Sequence, residues 1–87
     1  MFSIKTTVEG TLNNELNVKA EISTKVEEDT FKDDLGRFLY SIECMGYPFK
    51  TSEIYDKCME SFNDSVPNNR YVTLFRDEIM WVQIKRS

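Results

Sequence analysis

Apolar and polar residues alternate with a period of two at the start of the chain. The alternation runs through residues 2–9 and returns more cleanly in residues 15–24. This is the period of a β-strand with one face toward a core and one toward solvent. Gly10 to Asn14, between the two runs, include turn-forming residues. The segment is therefore predicted to form an antiparallel β-hairpin with one buried and one solvated face.

After Lys25 the apolar residues recur at helical spacing. The first stripe predicts a helix with Thr30 as N-cap, Asp33 as its capping-box partner and an end at Gly46. A second helix is predicted to begin after Thr51 or Ser52, so that the two form a helical hairpin. The apolar stripes are Phe31, Leu35, Phe38, Leu39, Ile42 and Met45, and then Ile54, Tyr55, Cys58, Met59 and Phe62.

The end of the chain predicts a second β-hairpin. Residues 70–75 and 79–85 flank a three-residue loop, and this register opposes Leu74 to Met80. An aromatic set then lies on the face opposite the core, and consists of Tyr71, Phe75, Ile79 and Trp81 with Thr73 and Gln83. The complete order is β-β-α-α-β-β, which is typical of the α+β class. We expect one domain, residues 1–87, with a four-stranded antiparallel sheet and the helical hairpin on one face.

The net charge of −4 is unevenly distributed along the chain. Residues 1–25 are neutral, residues 26–65 hold four bases against ten acids, and residues 66–87 hold four bases against two acids. The densest acidic part, called the acidic segment below, comprises Glu27, Glu28, Asp29, Asp33 and Asp34. Five carboxylates in eight residues can imitate nucleic-acid phosphates in a basic groove of another protein. The alternative is a solvated helix start that complements the helix dipole.

The C-terminal hairpin combines aromatic residues with the only excess of positive charge. Its candidate binding residues are Tyr71, Phe75, Arg76 and Trp81, which can stack bases or anchor a protein. The alternative is that this face is covered by another part of the chain or by a second copy in a homodimer. A further candidate is the rear of the first helix, where Tyr40, Cys44 and Tyr47 form a docking surface if the second helix leaves them exposed.

Catalytic equipment is missing from the sequence. Histidine is absent, which excludes His-dependent triads and His-containing zinc sites. Cys44 and Cys58 form no CxxC pair and are expected to be free thiols. We therefore expect a protein that is not an enzyme and that holds neither metal nor cofactor. No apolar run approaches the roughly 20 residues of a membrane span, and no signal peptide is recognisable. A cytoplasmic location without membrane contact is expected.

These features favour a protein that acts by binding. Small acidic chains of this kind are often products of phages or mobile elements that block a host protein. The leading hypothesis is such an inhibitor, which offers the acidic segment to a protein with a basic groove, for example a defence nuclease such as a CRISPR effector. The alternative is a nucleic-acid or small-ligand binding module that uses the aromatic and basic face of the C-terminal hairpin.

Overall fold

The computed structural model describes residues 1–12, 16–46 and 50–87, with the backbone alone for residues 10–12 and 16–18. Its elements are β1 (Phe2–Leu12), β2 (Leu16–Val26), α1 (Phe31–Cys44), α2 (Thr51–Ser61), β3 (Val72–Arg76) and β4 (Met80–Arg86). The strands form one antiparallel sheet in the order β2-β1-β4-β3. The two hairpins are therefore joined through the pairing of β1 with β4. The predicted α+β fold is confirmed.

The first hairpin extends further than its alternating pattern. β1 and β2 pair from Phe2↔Val26 to Leu12↔Leu16. Residues 10–12 therefore belong to the strand, and their assignment to the turn was wrong. Of these three residues only Gly10 disfavours a strand, and the pairing on both sides of it outweighs that preference. The rest of the predicted turn, residues 13 and 14, lies outside the described residues.

Burial along β1 follows the predicted alternation on the core face. Phe2, Ile4, Thr6 and Val8 are all buried there. The opposite face is less solvated than predicted, because its small residues, Ser3 and Thr7, are also buried. β1 is an inner strand, so each of these short side chains lies between longer neighbours from β2 and β4.

The helices cover the core face, with α1 packed against β2 and α2 against β3. A cluster of three rings joins the layers. The rings of Phe31 and Phe62 stack with centroids 4.5 Å apart, and Phe2 meets Phe31 edge-on at 5.3 Å. The predicted apolar stripes are confirmed except for Met45, which is 61% exposed because it lies just beyond the end of α1. Gly46 ends the helix, as predicted, with a φ of +96°.

The predicted capping box of α1 is wrong. The Thr30 hydroxyl donates to Asp34 Oδ2 at 2.6 Å, and no side chain caps the helix backbone. The Thr30 hydroxyl thus serves as a donor to Asp34, and its oxygen accepts no first-turn amide, which is the bond that an N-cap would make.

The second hairpin contains a β-bulge that the sequence did not reveal. The Asp77 amide donates to Met80 O at 2.9 Å, so only Glu78 and Ile79 lie at the tip. This tighter turn pairs Phe75 with Val82, and Leu74 becomes the extra residue before the pairing continues at Thr73↔Gln83. The predicted register was therefore wrong. Phe75 and Ile79 pack against the core instead of lying on the outer face of the sheet.

Arg86 fastens the ends of the elements together. Its guanidinium donates to Asp64 O at 3.0 Å and to Val66 O at 3.3 Å, and it forms an ion pair with Glu28. Its backbone amide donates to Pro67 O at 2.7 Å. Arg86 thus links the last strand to the connection before β3 and to the connection before α1. Its positive charge is used inside the fold rather than on the outer sheet face.

Candidate interaction surfaces

The acidic segment presents fewer free carboxylates than its sequence offers. Glu28 accepts hydrogen bonds from the terminal ammonium of Met1, at 3.0 Å, and from Arg86. Asp34 is bound by Thr30. The other three members, Glu27, Asp29 and Asp33, are exposed and form no ion pair among the described residues. Two of the five carboxylates, Glu28 and Asp34, are therefore bound within the fold, and the other three face solvent.

The two cations beside Glu28 make its contribution to stability depend on pH. The hydrogen bond from the terminal ammonium, and after it Arg86, hold the pKa of Glu28 below its ordinary value of 4.5. A lowered folded-state pKa stabilises the fold above pH 4.5, and this stabilisation is lost as pH falls through the folded-state pKa.

We expect Glu28→Gln to lower stability at neutral pH and to flatten the decline in acid. Urea unfolding at a series of pH values, followed by Trp81 fluorescence, measures both effects. The matched control is Glu27→Gln, which removes a neighbouring exposed carboxylate and is expected to keep the parent profile. An unchanged acid decline in Glu28→Gln would contradict the assignment.

A groove runs between the outer surfaces of α1 and α2. It is a shallow, open concavity of about 720 Å³, and Tyr40 and Tyr55 contribute apolar surface to its lining beside Gly36. A Cβ at Gly36 would lie 3.6 Å from the Tyr55 ring, which is an ordinary contact, so this position has room for a methyl group. Tyr40 is 61% exposed. The concavity lined by Gly36, Tyr40 and Tyr55 is called the helical groove below, and α2 leaves it open.

Hydrogen bonds fix the spacing of the two helices at one end of the groove. The Glu43 carboxylate on α1 accepts from the Thr51 amide at 3.2 Å, at the N-terminus of α2. Glu43 thereby supplies the cap that Lys50, the N-cap residue, does not. The neighbouring Cys44 and Glu43 side chains raise the pKa of the Tyr40 hydroxyl above its ordinary value.

An acidic depression adjoins the helical groove. It encloses about 500 Å³ and is lined by Glu28, Asp29 and Asp33 of the acidic segment and by Asp64 from beyond α2. Asp33 lines both concavities, and so does Lys32. The fold therefore joins two surfaces that the sequence suggested separately, the acidic segment and the rear of α1. Cys44 is exposed near this surface, whereas Tyr47 lies outside the described residues.

The outer face of the sheet carries two aromatic rings with cations above them. The Lys5 and Lys85 ammonium groups lie 4.3 Å and 4.9 Å from the centroid of the Tyr71 ring. The Arg76 guanidinium lies 4.4 Å from the centroid of Trp81. These five residues are called the sheet-face cluster below. Tyr71, Arg76 and Trp81 were predicted together, while Phe75 is absent because of the bulge.

Lys5 is the member that sequence reasoning missed. It was assigned to the solvated face of the first hairpin, 66 positions before Tyr71. Only the pairing of β1 with β4, in which Lys5 opposes Gln83, brings it beside the second hairpin. No local pattern encodes that strand order. The alternation did place Lys5 on the outer face, which was the one available signal.

Among the described residues, no group of three or more cysteines and acidic side chains is arranged to hold a metal ion. Within the same part of the chain, neither helix has the length and apolar character needed to cross a bilayer. Comparisons with protein-family models, with curated proteins and with solved structures each gave no match.

Proposed function

We propose that this protein is a non-catalytic cytoplasmic inhibitor that binds a basic surface of another protein through its helical layer. The observation that carries the proposal is the continuity of the helical groove with the acidic depression through Asp33. The groove offers an exposed aromatic wall at Tyr40, and the depression offers free carboxylates at Asp29 and Asp33. An apolar anchor beside complementary charge is the usual composition of a binding hot spot.

The charge of the helical layer supports a basic partner. Residues 26–65 hold ten acids and four bases, and this layer covers one side of the sheet. A partner with a groove built for nucleic acid would meet carboxylates where phosphates normally lie. A defence nuclease, including a CRISPR effector, belongs to this class of partner. Occupation of its basic channel would block it without any chemistry on the inhibitor.

Photo-crosslinking from Tyr40 in cells of the source organism tests the proposal. Benzoylphenylalanine at Tyr40 is expected to give a protein adduct that the same residue at Glu78, an exposed position in the β3–β4 tip, does not give. The captured protein is expected to lose its bound nucleic acid when the purified chain is added. An adduct pattern identical at both positions would contradict the proposal.

Two further variants separate the groove from the charge. Gly36→Leu fills the helical groove and is expected to abolish the Tyr40 adduct. Its control, Gly36→Ala, is expected to keep the adduct, because a Cβ at 3.6 Å from Tyr55 is in ordinary contact. Asp33→Lys is expected to weaken the adduct and the salt dependence of binding, whereas Glu78→Lys is expected to change neither. Glu28 is avoided here because its loss also weakens the fold.

A further inference from the structure

We propose that the sheet-face cluster binds single-stranded nucleic acid. This surface lies on the side of the sheet away from the helical groove, so it is a second site and does not depend on the function proposed above. Its members are Lys5, Tyr71, Arg76, Trp81 and Lys85.

The outer sheet face is positively charged, although the whole chain is acidic. Among the residues that the structure describes, strand register places five cations and two acids on it, namely Lys5, Lys19, Lys25, Arg76 and Lys85 against Glu9 and Glu21. Among the described residues, no carboxylate lies within 4.0 Å of a cation of the sheet-face cluster. Three cations without acidic partners are available to phosphates. The acidic helical layer repels a polyanion from the opposite side, so the sheet face is the side it can approach.

The aromatic rings favour unpaired bases over a duplex. Tyr71 lies level with Lys85, and Trp81 lies level with Arg76. Trp81 and Lys85 are four positions apart on β4, which is about 13 Å along the strand. Stacking on such rings requires bases that are not paired in a duplex, and a basic surface with aromatic side chains is the usual composition of a single-strand binding site. The Trp81 indole donates to Thr73 Oγ1 at 3.0 Å, which fixes the orientation of that ring before binding.

In the free protein the cations of the sheet-face cluster lie over its rings, so the groups that would contact phosphates and bases are already side by side. In the free protein the rings stabilise charges that have no acidic partner. A phosphate draws a cation aside and exposes the ring face to a base. Trp81 emission is therefore expected to change on binding, because Arg76 leaves its ring.

A second copy of this chain is a poor occupant of the same face. A twofold dimer places identical patches against each other. Here that arrangement would oppose two faces whose described residues each carry more cations than acids. Charge complementarity therefore favours a polyanion over self-association.

The experiment titrates a dye-labelled oligothymidylate of about 12 nucleotides with the whole chain at low salt. Anisotropy of the dye and emission of Trp81 are both recorded. Binding is expected, and the logarithm of its constant is expected to fall with the logarithm of salt concentration with a slope of about −2, as three phosphate contacts give for a single strand. A flat titration at low salt overturns the proposal.

Variants locate the binding. Trp81→Leu is expected to weaken oligothymidylate binding about tenfold through loss of stacking. Tyr71→Ser, which lies outside the strands, provides the same test if Trp81→Leu fails to fold. Lys85→Ala is expected to reduce the salt slope by about 0.7. Lys57→Ala changes net charge equally but lies on α2, and it is expected to leave affinity within about twofold. Equal losses in Lys57→Ala and Lys85→Ala overturn the proposal.

Three further measurements test whether a duplex, an acidic polypeptide or a second copy of the chain binds this face instead. A duplex of the same length and poly-L-glutamate are both expected to bind more weakly than the oligothymidylate. Equal binding of either one overturns the assignment to single strands, since neither offers free bases to the rings. Light scattering is expected to give a monomer mass. A dimer that oligothymidylate does not dissociate would also overturn it.

Discussion

Replacement of Phe31 by alanine is expected to lower the free energy of unfolding by about 3–5 kcal/mol. Phe31 is 3% exposed, and its ring stacks on Phe62 while meeting the edge of Phe2. One truncation therefore removes the contact between α1, the end of α2 and the first residue of β1. The loss approaches the whole stability of a small domain, which is of the order of 5–15 kcal/mol.

Urea unfolding followed by Trp81 fluorescence measures this loss. The matched control is Tyr40→Ala, an aromatic residue truncated on the same helix at a position that is 61% exposed. Its cost is expected to stay within about 0.5 kcal/mol. A loss in Phe31→Ala below about 1 kcal/mol, or equal losses in the two variants, would show that the ring cluster does not hold the layers together.

Alkylation is expected to distinguish the two cysteines by several orders of magnitude. Cys44 is exposed, whereas Cys58 is fully buried in α2 against the sheet. Burial raises the pKa of the Cys58 thiol from 9.0 to about 12, and this alone reduces the reactive thiolate about a thousandfold. The surrounding core also excludes the reagent. Cys58 is therefore expected to react only when the protein opens.

Mass spectrometry of the native protein with iodoacetamide tests this expectation. One adduct is expected to form rapidly, and it is expected to be absent from Cys44→Ser. The second adduct is expected in urea, and earlier in Phe31→Ala than in the parent chain, because destabilisation increases the open population. Equal rates at the two cysteines in the native protein would contradict the packing of α2.

The elements of this fold were predictable because each has two faces in different surroundings. The alternation of β1 and the stripes of α1 and α2 record that difference directly. The register of the second hairpin was not predictable in the same way. It depends on the Asp77 carboxylate, which accepts from the Ile79 and Met80 amides and so tightens the tip. The Leu74 bulge then returns Val72 to the core face. The tighter tip and the bulge shift the register in opposite senses, so the alternation of apolar residues reveals neither of them.

The candidate surfaces were predictable only as far as their residues are close in sequence. The acidic segment was recognisable, but the pairing of Glu28 with Arg86 spans 58 positions. The same holds for Lys5 beside Tyr71. The helical groove depends on how α2 packs beside Gly36, and the local sequence does not record that packing. Local composition thus located the charges, and the strand order and helix contacts decided which of them are free.

Under the two proposals above, the two layers of the molecule bind different partners, a basic protein on the helical layer and a single-stranded nucleic acid on the sheet. Parallel crosslinking in source cells, with benzoylphenylalanine at Tyr40 in one variant and at Tyr71 in the other, tests this claim most directly. The Tyr40 adduct is expected to be a protein that survives nuclease treatment, and the Tyr71 adduct is expected to be shortened by nuclease. The same adduct from both positions, or a Tyr71 adduct that resists nuclease, would contradict the claim.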